Sequence, residues 1–158
     1  MKPIKILFIL VVLSLMACHK ESVTNPPWEI TANIDGRPWK ANQQIFSHII
    51  GGYIMISGSD SSGRSINLSL KGSVAGTYPL GKNRESSASY SDSLSDTPLF
   101  STGWSNDTTL AGGTVVITSI NTSNRTITGT FSFNAYNDSL GYNKAITQGV
   151  IRNLPFLY

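Results

Sequence analysis

Three observations predict an all-β domain, an antiparallel sandwich or barrel of eight to ten short strands with no significant helix behind its leader. Apolar side chains recur at every second position rather than at helical spacing. Pairs such as Asp-Gly, Gly-Gly and Ser-Asn break the chain at short intervals. Charge is sparse: 13% of the 158 residues are charged and 40% are hydrophobic. That balance suits a packed β-protein rich in Ser, Thr and Asn better than a disordered chain.

The first element is a leader. Lys2 and Lys5 form a short positive region, and Ile6 to Met16 form an apolar run too short to span a bilayer. Leu15-Met16-Ala17-Cys18 follows, with small Ala17 before the only cysteine. This ending resembles the lipobox of bacterial lipoproteins. The resemblance implies cleavage after residue 17, a diacylglyceryl thioether on Cys18 and acylation of the new amino group. One acyl chain binds membranes marginally, at roughly 0.8 kcal/mol per buried methylene, whereas several anchor stably. A lone reactive thiol in an oxidising compartment would otherwise be a liability.

Processing changes the electrostatics. The full chain has 12 Lys and Arg against 9 Asp and Glu. Lys2 and Lys5 leave with residues 1–17, so ten basic side chains face nine acidic ones in the mature chain. No basic cluster suits nucleic acid. With no second cysteine, the mature chain must be stabilised by apolar packing and its hydrogen-bond ladder.

Residues 18–27 read as a lipidated polar tether ending in Pro26-Pro27, and residues 28–158 as a single β-rich domain. Trp28, Ile30, Ala32 and Ile34 alternate with Glu29, Thr31 and Asn33, which predicts a half-buried strand. Asp35-Gly36 then turns the chain toward Trp39 and Ala41. Ile45 to Ile50 and Tyr53 to Ser57 form a hairpin around Gly51-Gly52, apolar on both faces, which predicts a central position. Ile66, Leu68 and Leu70 alternate with Ser65, Asn67, Ser69 and Lys71. Lys82 to Asp107 is the least regular stretch, with weak strands around Tyr90 and Phe100. Thr114 to Ile120 pairs across Asn121 to Asn124 with Thr126 to Tyr136, whose inner face carries Ile127, Gly129, Phe131, Phe133 and Ala135. Lys144 to Asn153 closes the sequence of strands.

Several pieces recur together: Ile34-Asp35-Gly36-Arg37-Pro38-Trp39-Lys40-Ala41, then Gly76-Thr77-Tyr78-Pro79-Leu80, then Gly113 to Thr118. Ile127-Thr128-Gly129-Thr130-Phe131-Ser132-Phe133 and Ile146-Thr147-Gln148-Gly149 follow. In this order they resemble a family of small Bacteroidota lipoproteins whose function is not established. The resemblance implies one β-rich domain in the cell envelope and carries over no catalytic residue. Gly76 and Gly129 are expected where the backbone needs close approach or a bulge.

The inventory for catalysis is thin. His19 adjoins the anchor, and His48 has Ser47 on the opposite strand face, so it reads as a core or edge residue. No Gly-x-Ser-x-Gly, His-Glu-x-x-His or cysteine pair occurs. Glycoside hydrolysis needs two carboxylates in one cleft, and Glu29 and Asp35 are expected to face outward from strands. Asp92 and Asp96 match no EF-hand spacing, so a solvated loop is the simpler reading than calcium. No catalytic residue, metal site or cofactor is expected.

Three sites remain. Asp92-Ser93-Leu94, Asp107-Thr108-Thr109 and Asp138-Ser139-Leu140 resemble the O-glycosylation acceptors of Bacteroidota envelope proteins, which would modify Ser93, Thr108 and Ser139; Asp-Ser and Asp-Thr are also ordinary turn formers. Asn67 and Asn121 sequons are discounted. Trp28 and Trp39 are phased for the core, whereas Trp104, in a polar loop, is a candidate contact for a ligand or partner.

The expected protein is a non-catalytic binding or accessory module on the outer membrane, in a leaflet the sequence does not choose. It would meet a glycan, a small apolar ligand or an envelope protein, and no nucleic acid. A structural protein recognising an envelope partner ranks second, and an enzyme such as a glycoside hydrolase third.

Overall fold

The structure, a computed structural model, describes residues 27–93, 99–107 and 109–158. Eleven strands form one antiparallel sheet that curls into a half-barrel, with no helix among the described residues. They are β1 (Glu29–Ile34), β2 (Arg37–Lys40), β3 (Gln43–Ile50), β4 (Tyr53–Ser59), β5 (Ser65–Lys71) and β6 (Gly76–Leu80). β7 (Ser87–Ser91), β8 (Leu99–Ser101), β9 (Gly112–Asn121), β10 (Thr126–Asn137) and β11 (Tyr142–Pro155) follow. The sandwich-or-barrel alternative thus resolves to one curled sheet. The strand number exceeds the expected eight to ten.

The ladder runs β2-β1-β11-β10-β8-β7-β5-β4-β3 and branches at β10. Thr126 to Asn134 pair with β9, which continues to β6, while Tyr136 alone pairs with Ser101 of β8. Period-two patterning explains the core: alternate side chains of each strand point inward, and the curl brings them together. Ile54, Leu70, Phe100, Ile127, Ile146 and Ile151 are among the fully buried.

Bulges supply the curl. β11 skips register opposite β10 at Gln148 and again at Asn153, both with positive φ (52° and 45°). Gln148 also falls where β11 skips against β1, and its Oε1 accepts a hydrogen bond from Asn33 Nδ2 at 2.7 Å. The chain end draws the curl further round. Ile49 N–H donates to Leu157 O at 2.8 Å and Leu157 N–H donates to Ser47 O at 3.0 Å, a short parallel seam between β3 and the C-terminus. Ser47 Oγ adds a bond to Pro155 O at 2.8 Å.

Four expectations are corrected. Trp28 is 47% exposed, because the β1 ladder begins only at Glu29 opposite Arg152 and no pleat carries Trp28 inward. Trp39, by contrast, is 3% exposed and its Nε1 donates to Arg64 O at 3.2 Å. The apolar β3–β4 hairpin is not central. β3 lies at the end of the ladder, and Phe46, Ile50 and Met55 stand exposed on the outer face. Asp35 is not a strand residue but the first turn residue, with φ 50°. At Gly76 an added Cβ would meet nothing within 4 Å, so no close approach requires it, whereas at Gly129 it would fall 2.4 Å from Val116 O. Gly129 lies at the register shift between β10 and β9, as its type suggests.

Candidate functional site

The outer face of β3, β4, β5, β7 and β8 carries a trough. Phe46, Ser57, Asn67, Ser89 and Ser101 form one row across five strands. His48, Met55, Ser69 and Ser87 form the next row. Serine and asparagine make the floor because strict alternation sends Ile66, Leu68, Ala88 and Tyr90 inward and leaves the small polar residues outside. Phe46, Met55 and Leu99 rise as exposed walls around a groove of about 300 Å³. Phe46 meets His48 edge-on, ring centroids 5.7 Å apart. Ser57 Oγ donates to Asn67 Oδ1 at 2.5 Å, holding the amide in the floor. Such a surface offers hydroxyl and amide groups between apolar walls.

A second cluster at one rim joins the β1–β2 turn, the bend after β7 and the start of β11. Lys144 Nζ lies 3.0 Å from Asp35 Oδ2 and 4.0 Å from Asp92 Oδ2. Asp35 Oδ1 also accepts Ala145 N–H at 3.0 Å. Tyr90 O–H donates to Asp92 Oδ1, while the Lys144 ammonium stands 5.8 Å from the ring centres of Phe100 and Tyr142. Burial pushes the Tyr90 phenol up, as does its bond to the Asp92 carboxylate. Partial burial works against the Lys144 charge, but the Asp35 bond and the nearby Asp92 outweigh it and raise its pKa. A lysine nucleophile must be neutral and a tyrosine base must be ionised; here both neighbours work the other way. The two carboxylates share one cation, so the cluster is an ion-pair tie between the β1–β2 turn, β7 and β11.

Among the described residues, no group of three or more His, Cys, Asp or Glu side chains could hold a metal ion, and no helix is long and apolar enough to cross a membrane. Cys18, Thr108, Asp96 and His19 lie outside the described residues. Ser93 sits half-buried in the bend after β7, and Ser139 is exposed in the β10–β11 turn. Asp107 Oδ1 accepts from Thr109 N and Oγ1 at 2.8 and 2.6 Å, the turn-forming use of an Asp-Thr segment, and these bonds hold its carboxyl below the ordinary range. Trp104 is 37% exposed in the loop after β8. Ser93, Trp104 and Ser139 stand in three different connections. Sequence reading missed the trough, although Ser65-x-Asn67-x-Ser69 and Ser87-x-Ser89-x-Ser91 carry its signal; which strands stand side by side is invisible without pairing.

Fold and surface define a class: a small all-β half-barrel with a packed core and an open, hydroxyl-lined outer face. The family described as a domain of unknown function, DUF6252, matches residues 26–155, and the chain belongs to it. No curated protein and no solved structure matches the chain.

Proposed function

We propose that this chain is an outer-membrane lipoprotein, anchored through Cys18, whose domain binds a glycan in the outer-face trough and catalyses no reaction. The carrying observation is the row Phe46–Ser57–Asn67–Ser89–Ser101, hydroxyl and amide groups beside an aromatic wall on five hydrogen-bonded strands. Sugars offer many hydroxyls and an apolar ring face, which such a floor and wall complement. A small apolar ligand is less suited, because the space inside the curl is filled by core side chains. A second reading, recognition of an envelope protein, is favoured by exposed Phe46, Met55 and Leu99.

Thermal-shift titration of the mature protein with bacterial envelope oligosaccharides tests the trough. A ligand at a hundred times its Kd adds about 2.7 kcal/mol and raises the midpoint. Ser89→Tyr, which fills the floor, abolishes that shift; a shift that survives refutes the trough. Crosslinking to one envelope protein without any glycan shift would favour the second reading. Palmitate labelling lost in Cys18→Ala supports the anchor, and unaltered labelling ends it. Ser93, Thr108 and Ser139 are the proposed O-glycan acceptors, and an unmodified intact mass of the native protein would remove them.

A further inference from the structure

We propose that the rim through which the chain enters the domain is a phospholipid-facing surface, so that the domain stands on the bilayer with its aspartate-bearing rim outward. The proposal rests on the anchor at Cys18 and adds an orientation that the anchor alone does not fix.

Five large apolar side chains gather at this rim. Trp28 stands at the entry, and Ile50 precedes the Gly51-Gly52 turn between β3 and β4. Gly72 N–H donates to Gly52 O at 2.8 Å, which places the β5–β6 connection, with Val74 at its crest, beside that turn. Phe156 N–H donates to Arg125 O at 2.9 Å and seats the chain end, with Leu157 and Tyr158, against the β9–β10 turn. A hollow of about 520 Å³, lined by Pro27, Trp28, Asn121, Asn124 and Asn153 among others, joins the entry to the same turn. Val74, Leu157 and Tyr158 are each more than half exposed.

Basic side chains accompany them, with Arg84 and the acid Glu85 exposed beside Lys71, while Arg64 and Lys144 pair with aspartates at the far rim. Arg125 lies in the β9–β10 turn and Lys71 at the end of β5, its ammonium 4.6 Å from the Tyr53 ring centre. Glu29, the acid nearest the entry in sequence, is engaged by Arg152 at 3.0 Å and Lys40 at 3.7 Å. Asp35, Asp60, Asp92 and Asp138 all belong to connections at the opposite rim. Trp and Tyr favour the headgroup region, where a polar tip stays wet and the ring is buried. Lys and Arg are attracted to an anionic surface. Nine residues separate Cys18 from Trp28, a reach of at most about 36 Å. A phospholipid surface is therefore the one partner that the entry point itself brings to this rim.

The test uses the acylated mature protein in vesicles of phosphatidylethanolamine and phosphatidylglycerol carrying a phosphatidylcholine brominated near the carboxyl end of its acyl chains. The protein is expected to float with the vesicles and to show quenched tryptophan emission, with quenching lost in Trp28→Phe and kept in Trp104→Phe. Flotation without quenching, or quenching indifferent to Trp28→Phe, overturns the orientation while the anchor stands. Failure to float overturns the anchor and the orientation with it.

Discussion

Asp60 concentrates more bonding than any other carboxylate described. Its Oδ1 accepts Ser62 N–H at 2.9 Å, Ser62 Oγ–H at 2.7 Å and Arg64 N–H at 3.0 Å, while Oδ2 takes Arg64 Nε and Nη2 at 2.8 and 2.7 Å. Burial alone would raise its pKa, but the bonds from Ser62 and Arg64 and the arginine charge outweigh burial and lower it. The folded carboxyl is thus the stronger acid. Its contribution to stability is full above the unfolded value, about 3.9, and is lost as pH falls through the lower folded value. Asp60→Asn should cost about 1–3 kcal/mol near neutrality in urea melts. The gap to the native chain should narrow as pH falls through that window, and a gap that stays constant would refute the ionic role. The tryptophans make the complementary contrast. Trp39→Ala should cost about 3–5 kcal/mol, whereas Trp28→Ala should change stability by well under half of that, because one ring is buried and the other stands at the entry rim.

At the scale of elements, β10 and β11 do most to shape the sheet. A Cβ on Gly149 would fall 2.4 Å from the Phe131 ring, its cross-strand partner, and one on Gly129 would fall 2.4 Å from Val116 O. Neither position has room for a side chain, so Gly129→Ala and Gly149→Ala should each cost about 2 kcal/mol or more by overpacking. Gly76→Ala, with open space, should be nearly neutral in the same melts. Equal losses at all three positions would contradict this account. The strands themselves were legible because alternation is local. β10 follows the predicted alternation from Ile127 to Ala135, and the Asn121–Asn124 turn falls where the sequence places it. The position of β3 was not legible, because an apolar run looks the same whether its second face meets another layer or an exposed patch. β7 and β8, weak in sequence, deliver Tyr90 and Phe100 to the core; pairing across the curl supplies what their short runs lack.

For the whole molecule, the C-terminal seam decides how far the sheet curls. Phe156 is buried, and the two backbone bonds of Leu157 join β3, at one end of the ladder, to the segment that follows β11. Removing residues 156–158 should lower stability by about 3–5 kcal/mol and speed hydrogen exchange at the Ile49 amide ahead of the β10–β11 ladder. Uniform exchange would show that the seam is incidental. Closure also creates the two surfaces on which the functional readings rest, since the trough needs five strands in register and the entry rim needs the C-terminus beside the β9–β10 turn.

The sequence by itself determined the all-β class, the order of most strands and the Asp35-Gly36 turn. Period and turn chemistry are properties of neighbouring residues. Only the tertiary structure decided that the sheet is a single half-barrel, that β3 is its edge, that Trp28 faces out, and that serines from β4, β5, β7 and β8 share one floor. Those depend on hydrogen bonds between residues far apart in the chain, and a strand's own pattern fixes which side chains alternate but not which strand lies next to it.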